Sequence, residues 1–127
     1  MNKNIIILAT LIFALSSTVC YAEQSKIDTK LPLAGGTLCN LKLQADTLIP
    51  AYLAASVKKQ NCKNLKITNT RVTKQPYNLK YQNGNAIGGN WEEVWTVNAC
   101  NQNVYVPIKF ILDPKGATYV IEQDKVR

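Results

Sequence analysis

The hydrophobic pattern changes period along this chain, and each change predicts an element. First comes an apolar run from Ile5 to about Leu15, IIILATLIFAL, with Lys3 before it and small or polar residues up to Tyr21-Ala22 behind it. That is the order of a secretory signal peptide. The run is shorter than the roughly 20 apolar residues needed to span a bilayer. Cleavage is expected after Ala22, with Cys20 third from the cut. The rival reading lipidates Cys20, but lipidation sites want a small residue just before the cysteine, and Val19 stands there. The domain reading is therefore a signal peptide at 1–22, a flexible lead-in at 23–36 and a single domain at 37–127. The lead-in, EQSKIDTKLPLAGG, earns its description from polar residues, a proline and a Gly-Gly pair.

The period then becomes helical. In DTLIPAYLAASVKKQNC, Ile49, Leu53 and Val57 recur every four residues, which predicts a helix over about 48–60 with that stripe in the core. Asp46 or Thr47 can cap it, Pro50 suits its first turn, and Lys58-Lys59 complement the negative end of its dipole.

From Leu65 the period is two. LKITNTRVTKQ predicts a strand over about 64–74, and residues 77–82 could add a short one. Asn83 to Asn90, NGNAIGGN, reads as a long turn or mobile loop. Alternation then returns in three runs, roughly 91–100, 103–112 and 117–122. Pro107 falls within the second run. It cannot donate to a ladder, so its nitrogen must face a gap, an edge or a bulge. Asp113-Pro-Lys-Gly116 is a strong turn.

Cross-strand partners share a face, so registers can be tested. Closing a hairpin at Cys100–Asn103 sets Ala99 against Val104, Val97 against Val106, Trp95 against Ile108 and Trp91 against Leu112. The next hairpin sets Leu112 against Ala117, Phe110 against Tyr119 and Ile108 against Ile121. The strand at 64–74 joins the other edge with Leu65 opposite Val97 and Ile67 opposite Trp95, which brings Cys62 opposite Cys100. A Cys62–Cys100 disulfide is the leading pairing and Cys39–Cys62 the runner-up. The predicted fold is α+β: one helix packed on a roughly four-stranded antiparallel meander. The layout resembles cystatin-like folds. The Gln-x-Val-x-Gly loop of cystatins is missing from the hairpin, so protease inhibition is not carried over.

Composition narrows the chemistry. There is no histidine, which excludes Ser-His-Asp triads, Cys-His pairs and histidine-bound zinc. The cysteines after residue 22 show no CxxC spacing. No catalytic residue, metal or cofactor is expected. The chain is basic, with 15 Lys plus Arg against 8 Asp plus Glu. The positive charges are scattered, which argues against a specific nucleic-acid partner and leaves an unknown protein or an anionic envelope polymer. No transmembrane segment is expected after cleavage.

Glu93 is the anomaly. On a strand it shares a face with Trp91 and Trp95, and a buried carboxylate is costly unless paired. Pairing with Arg71 or a lysine, or eversion by a bulge, is the plainer reading. The sharper one makes Glu93 a recognition carboxylate in a groove lined by Trp91, Trp95 and Tyr119.

From Gly89 onward the chain resembles small exported proteins of Gram-negative bacteria. They join a Trp-x-Glu-x-Trp-x-Val strand to a hairpin cysteine and a Phe-x-x-Asp-x-x-Gly turn, here Trp91, Glu93, Trp95, Val97, Cys100, Phe110, Asp113 and Gly116. The resemblance implies export to the periplasm or beyond, an α+β fold and a Cys62–Cys100 bond, and supplies no activity. The functional expectation is a small exported, non-enzymatic binding or accessory protein of the bacterial envelope or secretome. The alternative is an inhibitor of a secreted hydrolase acting through a hairpin or the 83–90 loop.

Overall fold

Two-residue turns join the long strands, and their backbone chemistry sets the sheet. The computed structural model describes residues 26–127. In chain order it contains β1 (Lys26–Ile27), α1 (Leu41–Lys58), β2 (Asn64–Gln82), β3 (Asn85–Ala99), β4 (Gln102–Asp113), β5 (Gly116–Ile121) and a 3₁₀ turn at Gln123–Lys125. The signal peptide assigned to 1–22, Cys20 included, lies outside the described residues. The fold is α+β, with one helix over one sheet ordered β1-β2-β3-β4-β5. The sheet is five-stranded and mixed, where four antiparallel strands were expected, because β1 adds in parallel to β2.

β1 comes from the segment read as a flexible lead-in. Its polar composition hid several anchors. Lys26 N–H donates to Lys63 O at 2.7 Å and Gly36 N–H to Thr70 O at 2.9 Å. Leu33 is buried, and its N–H donates to Gln44 Oε1 at 2.9 Å. The Tyr52 hydroxyl donates to Asp28 O at 2.6 Å and accepts the Ile67 N–H at 3.0 Å, tying lead-in, helix and sheet together. Gly35 has φ +105°, and a Cβ there would lie 2.3 Å from Thr70 O. Only glycine allows this approach.

α1 begins seven residues earlier than predicted. Asn40 caps it, its side chain accepting the Leu43 N–H at 2.9 Å, as capping asparagines do. Pro50 therefore sits inside the helix. The stripe expected in the core is the exposed one: Ile49, Leu53 and Val57 are 45%, 64% and 58% exposed. Leu43, Leu48, Ala51, Tyr52, Ala54 and Ala55 are buried instead. The cause is the helix's composition. It is apolar on both sides, so periodicity could not choose the face, and the small alanines allow close packing on the sheet.

The β4–β5 register is as predicted, with Phe110 opposite Tyr119 and Ile108 opposite Ile121. The β3–β4 register is displaced by two residues: Trp91 faces Phe110, Glu93 faces Ile108 and Val97 faces Val104. The reason is the turn. Cys100 and Asn101 both have positive φ, 51° and 66°, so they form a two-residue turn with Ala99 opposite Gln102. A shift of two keeps every side chain on its face, and the predicted inward set, Trp91, Trp95, Val97, Ala99, Val106, Ile108 and Phe110, is buried. The β2–β3 register is shifted likewise, with Leu65 opposite Ala99 and Ile67 opposite Val97. The predicted 83–90 loop is a tight Asn83-Gly84 turn, φ 53° and 78°, followed by the start of β3.

The chain after β5 finishes the sheet. Tyr105 N–H donates to Arg127 O at 2.7 Å and Arg127 N–H to Tyr105 O at 3.1 Å. Val126 points inward and is buried. Pro107 lies on this same edge, its carbonyl accepting the Glu122 N–H at 3.0 Å. In a strand the nitrogen points with the carbonyl, so the missing N–H of Pro107 falls on the edge, as its chemistry demands.

Candidate functional site

Trp91, Glu93 and Trp95 alternate with outward residues on β3, so all three project under α1. The Glu93 carboxylate is fully buried. Its Oε2 accepts the Trp91 indole N–H at 2.7 Å and the Leu38 backbone N–H at 3.1 Å. Its Oε1 accepts the Trp95 indole N–H at 2.9 Å. The Cys39 thiol lies 3.7 Å from Oε2. The partners are thus indoles, an amide and a thiol; neither Arg71 nor a lysine is among them, and no bulge turns the residue outward. Two tryptophans flanking one carboxylate at positions two before and two after satisfy one another's polar groups, as buried groups require.

Phe110 completes the cluster. It stacks on Trp91 with ring centres 5.1 Å apart and meets Trp95 at 6.0 Å. Such aromatic pairs add about 0.5–1.5 kcal/mol beyond their area. Tyr119 packs at the border of the core. The structure thus brings Trp91, Glu93 and Trp95 together on one face, all three buried in the core.

Cys39 shares this interior. Burial pushes its thiol up to about 12, and the nearby Glu93 charge acts in the same direction, against a hydrogen bond from the Thr37 side that lowers it. A thiol so placed is protonated at neutral pH and a poor nucleophile. Cys62 and Cys100 are at disulfide distance, Cα–Cα 5.8 Å, where the chain leaving α1 meets the β3–β4 turn. Among the described residues no three His, Cys, Asp or Glu gather to hold a metal ion, and no helix is long and apolar enough to cross a membrane.

The residues that face outward were not anticipated. One set is the apolar face of α1: Leu41, Ile49, Leu53 and Val57 are exposed. The Lys42–Asp46 pair on this side is mutually neutralised at 2.7 Å. The signal was present in the sequence, since a helix apolar all round has more apolar surface than one sheet can cover. The other set is the distal half of the β2–β3 hairpin, which runs beyond the core. There Tyr81 is 63% exposed and Leu79 is also exposed, close to the Asn83-Gly84 turn. Asn-Gly between strand-like runs is the sequence signal for that hairpin. No family model, curated protein or solved structure matches this chain.

Proposed function

We propose that this chain is a small exported, non-enzymatic protein that acts by binding a protein partner in the bacterial envelope or secretome. The apolar face of α1, exposed among the described residues, carries this reading. Ile49, Leu53 and Val57 form one ridge at four-residue spacing, the kind that seats in a groove of a facing helix. Contiguous exposed apolar surface of this kind marks interaction sites. Chemistry-bearing groups point the other way: Glu93 and Cys39 are buried and held by structural hydrogen bonds. The apolar leader and a cysteine pair at bonding distance support export, because disulfides persist in oxidising compartments. A photo-crosslinking residue at position 53 should capture one discrete species from envelope extracts, while one at Lys66 should not. Identical adducts from both positions, or none from position 53, would remove the basis of this reading.

A second reading is favoured by the hairpin arm. A projecting two-stranded arm ending in a tight turn, with Leu79 and Tyr81 exposed beside it, has the form of an inhibitor that plugs a hydrolase cleft. Under that reading Tyr81→Ala abolishes inhibition in a panel of secreted hydrolases and Leu53→Lys does not. Inhibition unaffected by Tyr81→Ala would eliminate the arm as the plug.

A further inference from the structure

The outer face of the sheet, opposite α1, carries a cleft of about 740 Å³ lined by Arg71, Val94, Tyr105, Pro107, Lys125 and Arg127. The register explains the grouping. Arg71 is opposite Val94, and Val94 is opposite Pro107, so these three form one row across β2, β3 and β4. Tyr105 is two residues from Pro107 and shares its face. Arg127 pairs with Tyr105 through both backbone hydrogen bonds, which sets its side chain on the outer face while Val126 is buried in the core. The two arginines therefore stand on opposite sides of an apolar floor, three strand spacings of about 4.8 Å across the sheet and two residues along it, roughly 16 Å in all.

The charges around this floor are unevenly matched. Lys125 is paired with Glu122 at 2.7 Å. Glu92, on the same face, accepts the Tyr77 hydroxyl at 3.0 Å and has Lys74 at 3.9 Å; Lys109 stands opposite Glu92. Arg71 and Arg127 form no ion pair among the described residues. Guanidinium groups left in this state are suited to forked recognition of a carboxylate or phosphate. Tyr105 is partly exposed and supplies a flat apolar surface beside them. The volume is in the range of small-molecule sites.

We propose that this cleft binds a small organic acid or phosphate ester with an apolar body, the acid group held by Arg71 and Arg127 and the body lying on Val94, Pro107 and Tyr105. The proposal rests on the reading of the chain as a binding protein, but uses a different face from α1 and the hairpin tip.

The test uses one probe and its two halves. The purified protein is titrated with 1-naphthyl phosphate, inorganic phosphate and 1-naphthol, and amide shifts are followed by NMR. Naphthyl phosphate should bind saturably, shifting Val94, Tyr105 and Arg127, and at least tenfold more tightly than either half. The Arg71→Ser/Arg127→Ser double variant should bind at least tenfold more weakly, with Leu53→Lys unchanged. Equal binding of 1-naphthol, equal binding of phosphate, or unchanged binding by the double variant would overturn the cleft assignment. Crosslinking from position 53 reports on the protein-binding reading independently, so the two can fail separately.

Discussion

Glu93 and Trp95 stand two residues apart on one strand, and the carboxylate of the first accepts the indole N–H of the second at 2.9 Å. Trp91 does the same from the other side at 2.7 Å. The carboxylate is thus the acceptor that allows two tryptophans to enter one small core with their N–H groups satisfied. It also holds the Leu38 amide at 3.1 Å, fixing the chain just before α1.

Glu93→Gln should therefore destabilise the fold although it is nearly isosteric. An amide offers one oxygen where the carboxylate offers two, so its NH₂ group meets an indole N–H. A buried donor left without a partner costs roughly 1–3 kcal/mol. Urea unfolding followed by tryptophan emission should show a lower midpoint, and Glu93→Leu should lie lower still. An unchanged midpoint for Glu93→Gln would refute the role assigned to the carboxylate.

Cys39 predicts a weakness at alkaline pH. Its folded thiol titrates at about 12, raised from an ordinary value of 9.0. Above pH 9 the unfolded chain loses this proton while the folded chain keeps it. The unfolded state is then favoured, and stability falls as pH rises from 9 towards 12. Burial also raises the Tyr52 hydroxyl, which adds to the decline. Cys39→Ala should flatten the lower part of this slope in thermal melts. In the native state Cys39 should resist a thiol reagent at pH 8 and react after denaturation.

The two lead-in glycines should respond oppositely. At Gly35 a Cβ would lie 2.3 Å from Thr70 O, with φ at +105°, whereas at Gly36 it would meet nothing within 4 Å. Gly35→Ala should cost roughly 1–3 kcal/mol through backbone strain alone, and more if Thr70 cannot retreat. Gly36→Ala should be neutral or slightly stabilising, since it restricts the unfolded chain. Equal melting temperatures for the two variants would mean that the lead-in is not docked as described.

Cys62 and Cys100 are separated by 38 residues. Closing a loop of that size stabilises by about 2–4 kcal/mol, mainly through the unfolded chain. The Cys62→Ser/Cys100→Ser variant should melt well below the parent, and dithiothreitol should bring the parent down to the same value. Peptide mapping that finds Cys39 joined to Cys62 would contradict the pairing.

Alternation made the sheet readable, and parity explains why. The inward set of β3 and β4 came out correctly although the β3–β4 register was two residues off, because a shift of two leaves faces unchanged. The displacement itself lay in Cys100 and Asn101, whose positive φ makes a two-residue turn where a longer one was assumed. Helical period alone could not orient α1, since Ile49, Leu53 and Val57 on one side rival Leu48, Ala51 and Tyr52 on the other. Tyr52 wins through its hydroxyl, which serves both Asp28 and Ile67. Those are contacts across long sequence separations that no local pattern encodes. Glu93 was legible as an anomaly. Its solution was partly legible too, because Trp-x-Glu-x-Trp on a strand already aligns two N–H donors with one carboxylate. The Leu38 and Cys39 contacts required the path of the chain before α1.

β2 has a further consequence. Its pairing with β3 slips repeatedly between Ile67 and Tyr81, and Pro76 with Lys74 and Lys80 interrupts the same stretch. Beyond Thr70 the opposite side of β2 has no neighbouring strand among the described residues. A long straight border of this kind would let copies of the chain zip together into fibres. Here the steps in the ladder break its regularity, Pro76 has no backbone N–H to offer, and Lys80 adds a charge to the stretch. The hairpin therefore projects from the core with a border that is a poor template for edge-to-edge pairing with a second copy.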